Sequence, residues 1–164
     1  MPKERILDGI KFTYSGILEF QIIYQSIKDF WDSKGFDYLE KKHEEKISED
    51  GSRDITLEWN CEKKVTDYCK YVYEFKVNIK GMKPVMIKGK EFFHVNEFKV
   101  ELNADLEVDY DKFFGDKPFN IFLRALYEKY IISGEIKEHK KKVRTIGEEF
   151  LNMLKDLTAS FKVL

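Results

Sequence analysis

The chain has 164 residues, enough for one domain with a sizeable core and little room for a second. It is 43% apolar, 15% aromatic and 36% charged, against roughly 25% charged in an average domain, yet its bases and acids cancel to a formal charge of −1. That balance excludes global electrostatic steering toward nucleic acid or an anionic membrane, and no apolar run approaches the ~18 residues of a membrane span.

The opening residues, MPKERILDG, contain no signal-peptide core, so a cytoplasmic protein is expected. High Lys and Glu with only two glutamines, Gln21 and Gln25, fit a thermophile's composition. Two cysteines, Cys61 and Cys69, do not make a disulfide framework, and no histidine stands beside them at ligand spacing. They read as buried free thiols, and no metal or cofactor is expected.

Ile10, Phe12 and Tyr14 alternate with other residues and predict a short first strand, after which Ser15 can cap a helix. Phe20, Ile23, Tyr24, Ile27, Phe30 and Trp31 mark one face of that helix, and Gly35 sits where a C-terminal cap belongs. Residues 36–47, with EKKHEEK, read as a charged edge strand, and EDGS at 49–52 as a turn. Ile55, Leu57, Trp59 and Cys61 make the dry face of one strand. Cys69, Tyr71, Tyr73, Phe75, Val77 and Ile79 make that of the next, which Gly81 should break. Pairing these two as a hairpin with Cys61 opposite Cys69 and Trp59 opposite Tyr71 puts both apolar sets on one face.

A short strand at 85–87 follows. The run EFKVELNADLEVDY, 97–110, then alternates without a break: Phe98, Val100, Leu102, Ala104, Leu106, Val108 and Tyr110 on one side, charged or polar residues on the other. Fourteen residues at ~3.3 Å each exceed the width of most sheets, so a bend or bulge near Asn103–Asp105 is expected. Beyond it, Asp116 can cap and Pro118 suits a first helical turn. Phe119, Phe122, Leu123, Leu126, Tyr127, Tyr130 and Ile131 form one apolar face. Ser133-Gly134 ends this helix, and a last one spans about 135–160. In it Ile136, Val143, Phe150, Leu157 and Leu164 recur every seven residues, with Ile146 and Met153 but also His139 and Ser160 between them. Packing across a sheet or a neighbouring helix fits this better than a sustained coiled coil.

The expected fold is one α+β domain: an antiparallel meander covered on one face by helices, in the order strand, helix, five strands, two helices. Order and patterning resemble the helix-grip architecture of START-like domains, in which a curved sheet wraps a terminal helix. A local resemblance rests on two motifs. Phe122, Leu123, Arg124, Tyr127, Lys129, Tyr130, Ile131 and Ile132 match F-L-R-x-x-Y-[DE]-K-Y-I-I, and Gly35, Phe36, Asp37 and Tyr38 match G-[YF]-D-[YF]. The chain is similar in both to a family of small uncharacterised archaeal proteins. The resemblance implies an archaeal, cytoplasmic protein and brings no activity or catalytic residues with it.

Enzyme signatures are missing. No two glycines are closer than seven residues, which removes phosphate-loop and dinucleotide patterns, and there is no GxSxG elbow. His43 lacks the second histidine of a zinc-protease helix, and His94 reads as a structural histidine. Glu101, Asp105, Glu107 and Asp109 share one face of the long strand and read as solvated. A stripe of Lys137, Lys140, Lys141 and Arg144 lies on the last helix opposite its apolar face, and Tyr71, Tyr73 and Phe75 fall on the dry side of the sheet, so nucleic-acid binding is not expected.

Two functions remain. One is a non-catalytic binder of an apolar small molecule between sheet and C-terminal helices, lined by Trp59, Tyr71, Tyr73, Phe98, Val100, Leu102 and Phe150. The other is an interaction module that uses the last helix and its basic stripe to dimerise or to dock on a larger assembly, an RNA-containing one included.

Overall fold

Half-dry alternation runs further along the chain than its clearest stretches suggest. The computed structural model describes residues 3–111 and 114–163. It forms β1 (Lys3–Leu18), α1 (Phe20–Ser33), β2 (Asp37–Ile47), β3 (Arg53–Lys64), β4 (Cys69–Ile87), β5 (Lys90–Val108), α2 (Pro118–Tyr130) and α3 (Ser133–Phe161). The strands make one antiparallel sheet in the order β1-β5-β4-β3-β2. Strands β2 to β5 are a meander, and β1 closes on its far edge beside β5.

The α+β class and the order of elements are those expected, with five strands instead of six. The short strand at 85–87 is the far end of β4, which passes through Gly81 without stopping. Gly81 adopts φ +65°, gives its N–H to Asp54 Oδ1 at 2.9 Å and lies under the Asn96 side chain, so an irregularity in the pairing with β3 stands where a break was expected. Ser15 caps nothing. It lies inside β1, and α1 starts after Glu19 with no side-chain cap. Gly35 does close α1, at φ +79°, with its N–H on the Asp32 carbonyl and that of Phe36 on the Trp31 carbonyl.

The hairpin of β3 and β4 forms, but four residues out of the expected register. Cys61 faces Tyr73, Trp59 faces Phe75, and the ladder continues to Lys64 opposite Lys70. An even slip leaves every apolar residue on the dry face, so alternation alone cannot detect it. The turn decides: Thr66 Oγ1 accepts the N–H groups of Tyr68 and Cys69, and the Val65 N–H reaches the Cys69 carbonyl. This tight turn draws Lys63 and Lys64 into the strand. Both cysteines are buried free thiols, apart from one another in the register.

Around Asn103–Asp105 the irregularity lies in the partner strand. β5 pairs evenly with β4 there, while β1 carries extra residues between Arg5 and Leu7 and between Leu7 and Ile10. Gly9 takes φ +60° at this bulge and gives its N–H to Asn103 Oδ1 at 2.7 Å.

The dry face of the sheet carries α1 and α3. Trp31 packs against Phe36, Tyr73, Phe75 and Phe150 with ring centroids 4.8–6.0 Å apart. On α3, Val143, Phe150, Leu154 and Phe161 are buried while Lys141 and Arg144 are exposed. Leu164, the last of the seven-residue series, lies outside the described residues. Gly147 on the buried side lets α3 approach Leu7, Leu102 and Tyr73 closely.

α2 departs from expectation. It buries no residue, and its apolar face points to solvent: Phe119 is 69% exposed, Phe122 57% and Tyr130 70%. Its polar side is the one that docks. Glu128 accepts a hydrogen bond from Tyr68 Oη at 2.7 Å, Arg124 lies 4.0 Å from Asp109, and the Tyr127 ring packs on Tyr68 and Phe114. These anchors hold α2 with its apolar face outward, against its amphipathic pattern.

Candidate functional site

The seven apolar residues named as a ligand wall sit in the packed core. Trp59, Tyr71, Tyr73, Phe98, Val100, Leu102 and Phe150 are each at most 3% exposed. Phe150 meets Phe75 at 4.8 Å and Trp31 at 5.0 Å, and Tyr73 Oη donates to the Val143 carbonyl at 2.7 Å. Burial pushes the Tyr73 hydroxyl far above its ordinary pKa, so it stays neutral. A ligand among these rings would have to displace them.

Space lies instead at one end of the sheet, where α2 stands away from it. A pocket of about 440 Å³ opens there between β1, β5, α2 and α3. Leu106, Val108, Ile136 and Ala125 give it apolar surface, while Lys3, Lys129, Lys137 and Lys140 stand around it with Glu4 and Glu128. The strand pattern explains the floor: Leu106 and Val108 are the last dry-face residues of β5, and Ile136 of α3 lines the pocket with them. The sequence pointed to the space between the sheet and the C-terminal helices; the pocket lies at one end of it, and none of the seven named residues lines it.

The basic stripe borders the same region. Lys137, Lys140, Lys141 and Arg144 line a neighbouring groove of about 570 Å³ with Glu4, Arg5, Ile6 and Glu138. Lys140 is tied to Glu4 at 2.6 Å, and Arg144 donates to the Ile6 carbonyl at 3.2 Å. Lys137 and Lys141 are exposed. Half of the stripe thus fastens α3 to β1.

Of the four acids read as solvated on the long strand, Glu101 is half-buried and the other three are buried. Asp105, Glu107 and Asp109 are at most 6% exposed, and each faces a cation: Arg5 at 2.6 Å, Lys70 at 3.6 Å and Arg124 at 4.0 Å. The hydrogen bond to Asp105 holds the Arg5 guanidinium above its ordinary pKa. The three cations come from β1, β4 and α2, so nothing within the strand's own sequence signals the burial. Among the described residues, no group of three His, Cys, Asp or Glu could hold a metal ion, and none of their helices is long and apolar enough to cross a membrane. Burial also pushes both thiols up, away from thiolate chemistry at neutral pH.

His94 is exposed on β5, so it is not the structural histidine expected. That part falls to His139, whose Nδ1 is hydrogen-bonded to Tyr71 Oη at 2.6 Å. Its place in the apolar register of α3, between Ile136 and Val143, was the available signal. Burial, then Lys142, lowers the His139 pKa, against Glu135 and Glu138, while burial pushes Tyr71 up to about 12. The sign follows. The unfolded histidine takes up its proton near the ordinary value of ~6.5, before the folded one does, so its stabilising share is full above ~6.5 and is lost as pH falls toward the lower folded value. The urea midpoint of the parent should therefore drop between neutral and mildly acidic pH, and that of His139→Gln should drop less. Parallel pH profiles for the two proteins would show that His139 carries none of this dependence.

No family model matches the chain, and neither a curated protein nor a solved structure matches it.

Proposed function

We infer that the chain is a non-catalytic binder of a small amphipathic molecule, held between the open end of the sheet and the two C-terminal helices. The observation that carries this reading is the 440 Å³ pocket with Leu106, Val108 and Ile136 beneath a group of lysines. Its volume falls within the ~300–1,000 Å³ of small-molecule sites. An apolar body on that floor would leave a carboxylate or sulfonate head beside Lys137. The paired acids and the neutral thiols support a binding role over a catalytic one.

The test is a titration with anilinonaphthalene sulfonate, an apolar fluorophore with an anionic head. Saturable binding is expected in the parent. Ala125→Trp fills the pocket from α2 without touching the core and should weaken binding about tenfold or more, the scale of one or two lost apolar contacts. Binding that Ala125→Trp leaves unchanged would place the dye on the exposed face of α2, and absence of saturable binding would end the reading.

A further inference from the structure

We propose that α2 is the interface of a homodimer, packed antiparallel against α2 of a second copy across a two-fold axis. Independently of the pocket, α2 presents an apolar face that its own chain leaves uncovered. Phe119, Leu123, Leu126 and Tyr130 are spaced four, three and four residues apart, which places them in one row along the helix. Phe122 flanks the row and is 57% exposed.

That row is its own complement. Read backwards, the spacing is again four, three and four, with a large ring at each end and leucines in the middle. Turning a second copy end for end therefore sets Phe119 against the partner's Tyr130 and Leu123 against the partner's Leu126, twice each. This is the isologous contact a two-fold dimer needs, in which a patch meets itself. In heptad terms the row alternates the two seam positions, which is how antiparallel helices form their layers. The flanking position repeats the match: Phe122 comes to lie beside the partner's Lys129, an arrangement suited to a cation over a ring. Lys129 already lies over a ring in its own chain, with Nζ 5.3 Å from the Tyr130 centroid.

The area also fits. With full side-chain areas of ~150–250 Å² for aromatic residues, the exposed fractions of this row and Phe122 sum to on the order of 500 Å² per protomer. That is the upper end of what a monomer leaves exposed, and somewhat below the ~800 Å² per partner of a standard interface. A dimer with dissociation in the micromolar range is the expected result. The surface is held in place on its inner side by Tyr68–Glu128 and Arg124–Asp109, so it is presented as a formed helix.

Sedimentation equilibrium of the full chain should show a monomer–dimer equilibrium, and Leu126→Glu, which sets carboxylates into the middle of the seam, should shift it at least tenfold toward monomer. Leu126 is a surface position in the single chain, and an unchanged circular dichroism spectrum would confirm that the variant is folded. Orientation is read by crosslinking. Phe119→Cys together with Tyr130→Cys should give a covalent dimer under mild oxidation, while either cysteine alone should not. The two positions are about 16 Å apart along one helix and cannot bond to each other within a chain. The native thiols are buried. A monomer at every concentration overturns the proposal, and cosedimentation of that monomer with phosphatidylglycerol vesicles would assign the face to a bilayer instead. Single cysteines that crosslink as readily as the pair would overturn the antiparallel arrangement.

Discussion

Phe150→Ala is expected to cost about 3–5 kcal/mol of folding stability, the usual range for truncating a fully buried aromatic residue. The side chain is sealed from solvent and meets three rings, Phe75 at 4.8 Å, Trp31 at 5.0 Å and Phe30 at 5.4 Å. Those rings come from β4 and α1, so one residue of α3 ties the terminal helix to both other parts of the core. The rings cannot all collapse into the space, because Trp31 is also held by Phe36 and Tyr73. Lys141→Ala, on the opposite side of α3, should change stability by no more than about 0.5 kcal/mol. Urea unfolding of the two variants against the parent makes the measurement. A Phe150→Ala protein with the parent's midpoint would mean that α3 is not seated on the sheet.

What could be read in advance was whatever depends on parity and period. Alternation assigned the dry faces of β3, β4 and β5, and the seven-residue recurrence of Val143 and Phe150 assigned the buried side of α3. What could not be read depends on partners far away in sequence. The β3–β4 register turned on how the Thr66 hydroxyl organises a tight turn, and a slip of four residues keeps the same parity. The burial of Asp105 depends on Arg5, a hundred residues earlier. α2 is the clearest case. Its amphipathic pattern is real, but its polar side holds the partners within the chain and its apolar side stays exposed. The same circumstance goes with the pocket: an α2 held by Tyr68 and Asp109 borders it, with the buried Leu106 and Val108 at its base. The pocket residues carried no motif, since lysines around a few aliphatic side chains look like any solvated rim.

Gly147 sets how closely α3 lies on the sheet, and filling it is the second large effect expected. A Cβ at this position would overlap the Leu7 side chain and come within 3.3 Å of Leu102 Cδ2 and 3.6 Å of Tyr73 Cε1. All three neighbours are at most 1% exposed, so Leu7 cannot simply swing its methyl group out into water. Two effects compete in Gly147→Ala. Replacing a mid-helix glycine stabilises the helix by up to about 1 kcal/mol, while overpacking a filled core costs about 1–3 kcal/mol. The clash should win by a small margin. Gly147→Val adds two further methyl groups with less helix propensity to offset them, so its cost should reach about 3 kcal/mol. The cause can be separated from a general intolerance of change. Leu7→Ala vacates the space the new methyl needs, so Gly147→Ala should be better tolerated in the Leu7→Ala background than in the parent, by about 1 kcal/mol or more of coupling. Strictly additive effects in this double-mutant cycle, or a Gly147→Val protein as stable as the parent, would show that α3 does not rest on Leu7 at this point.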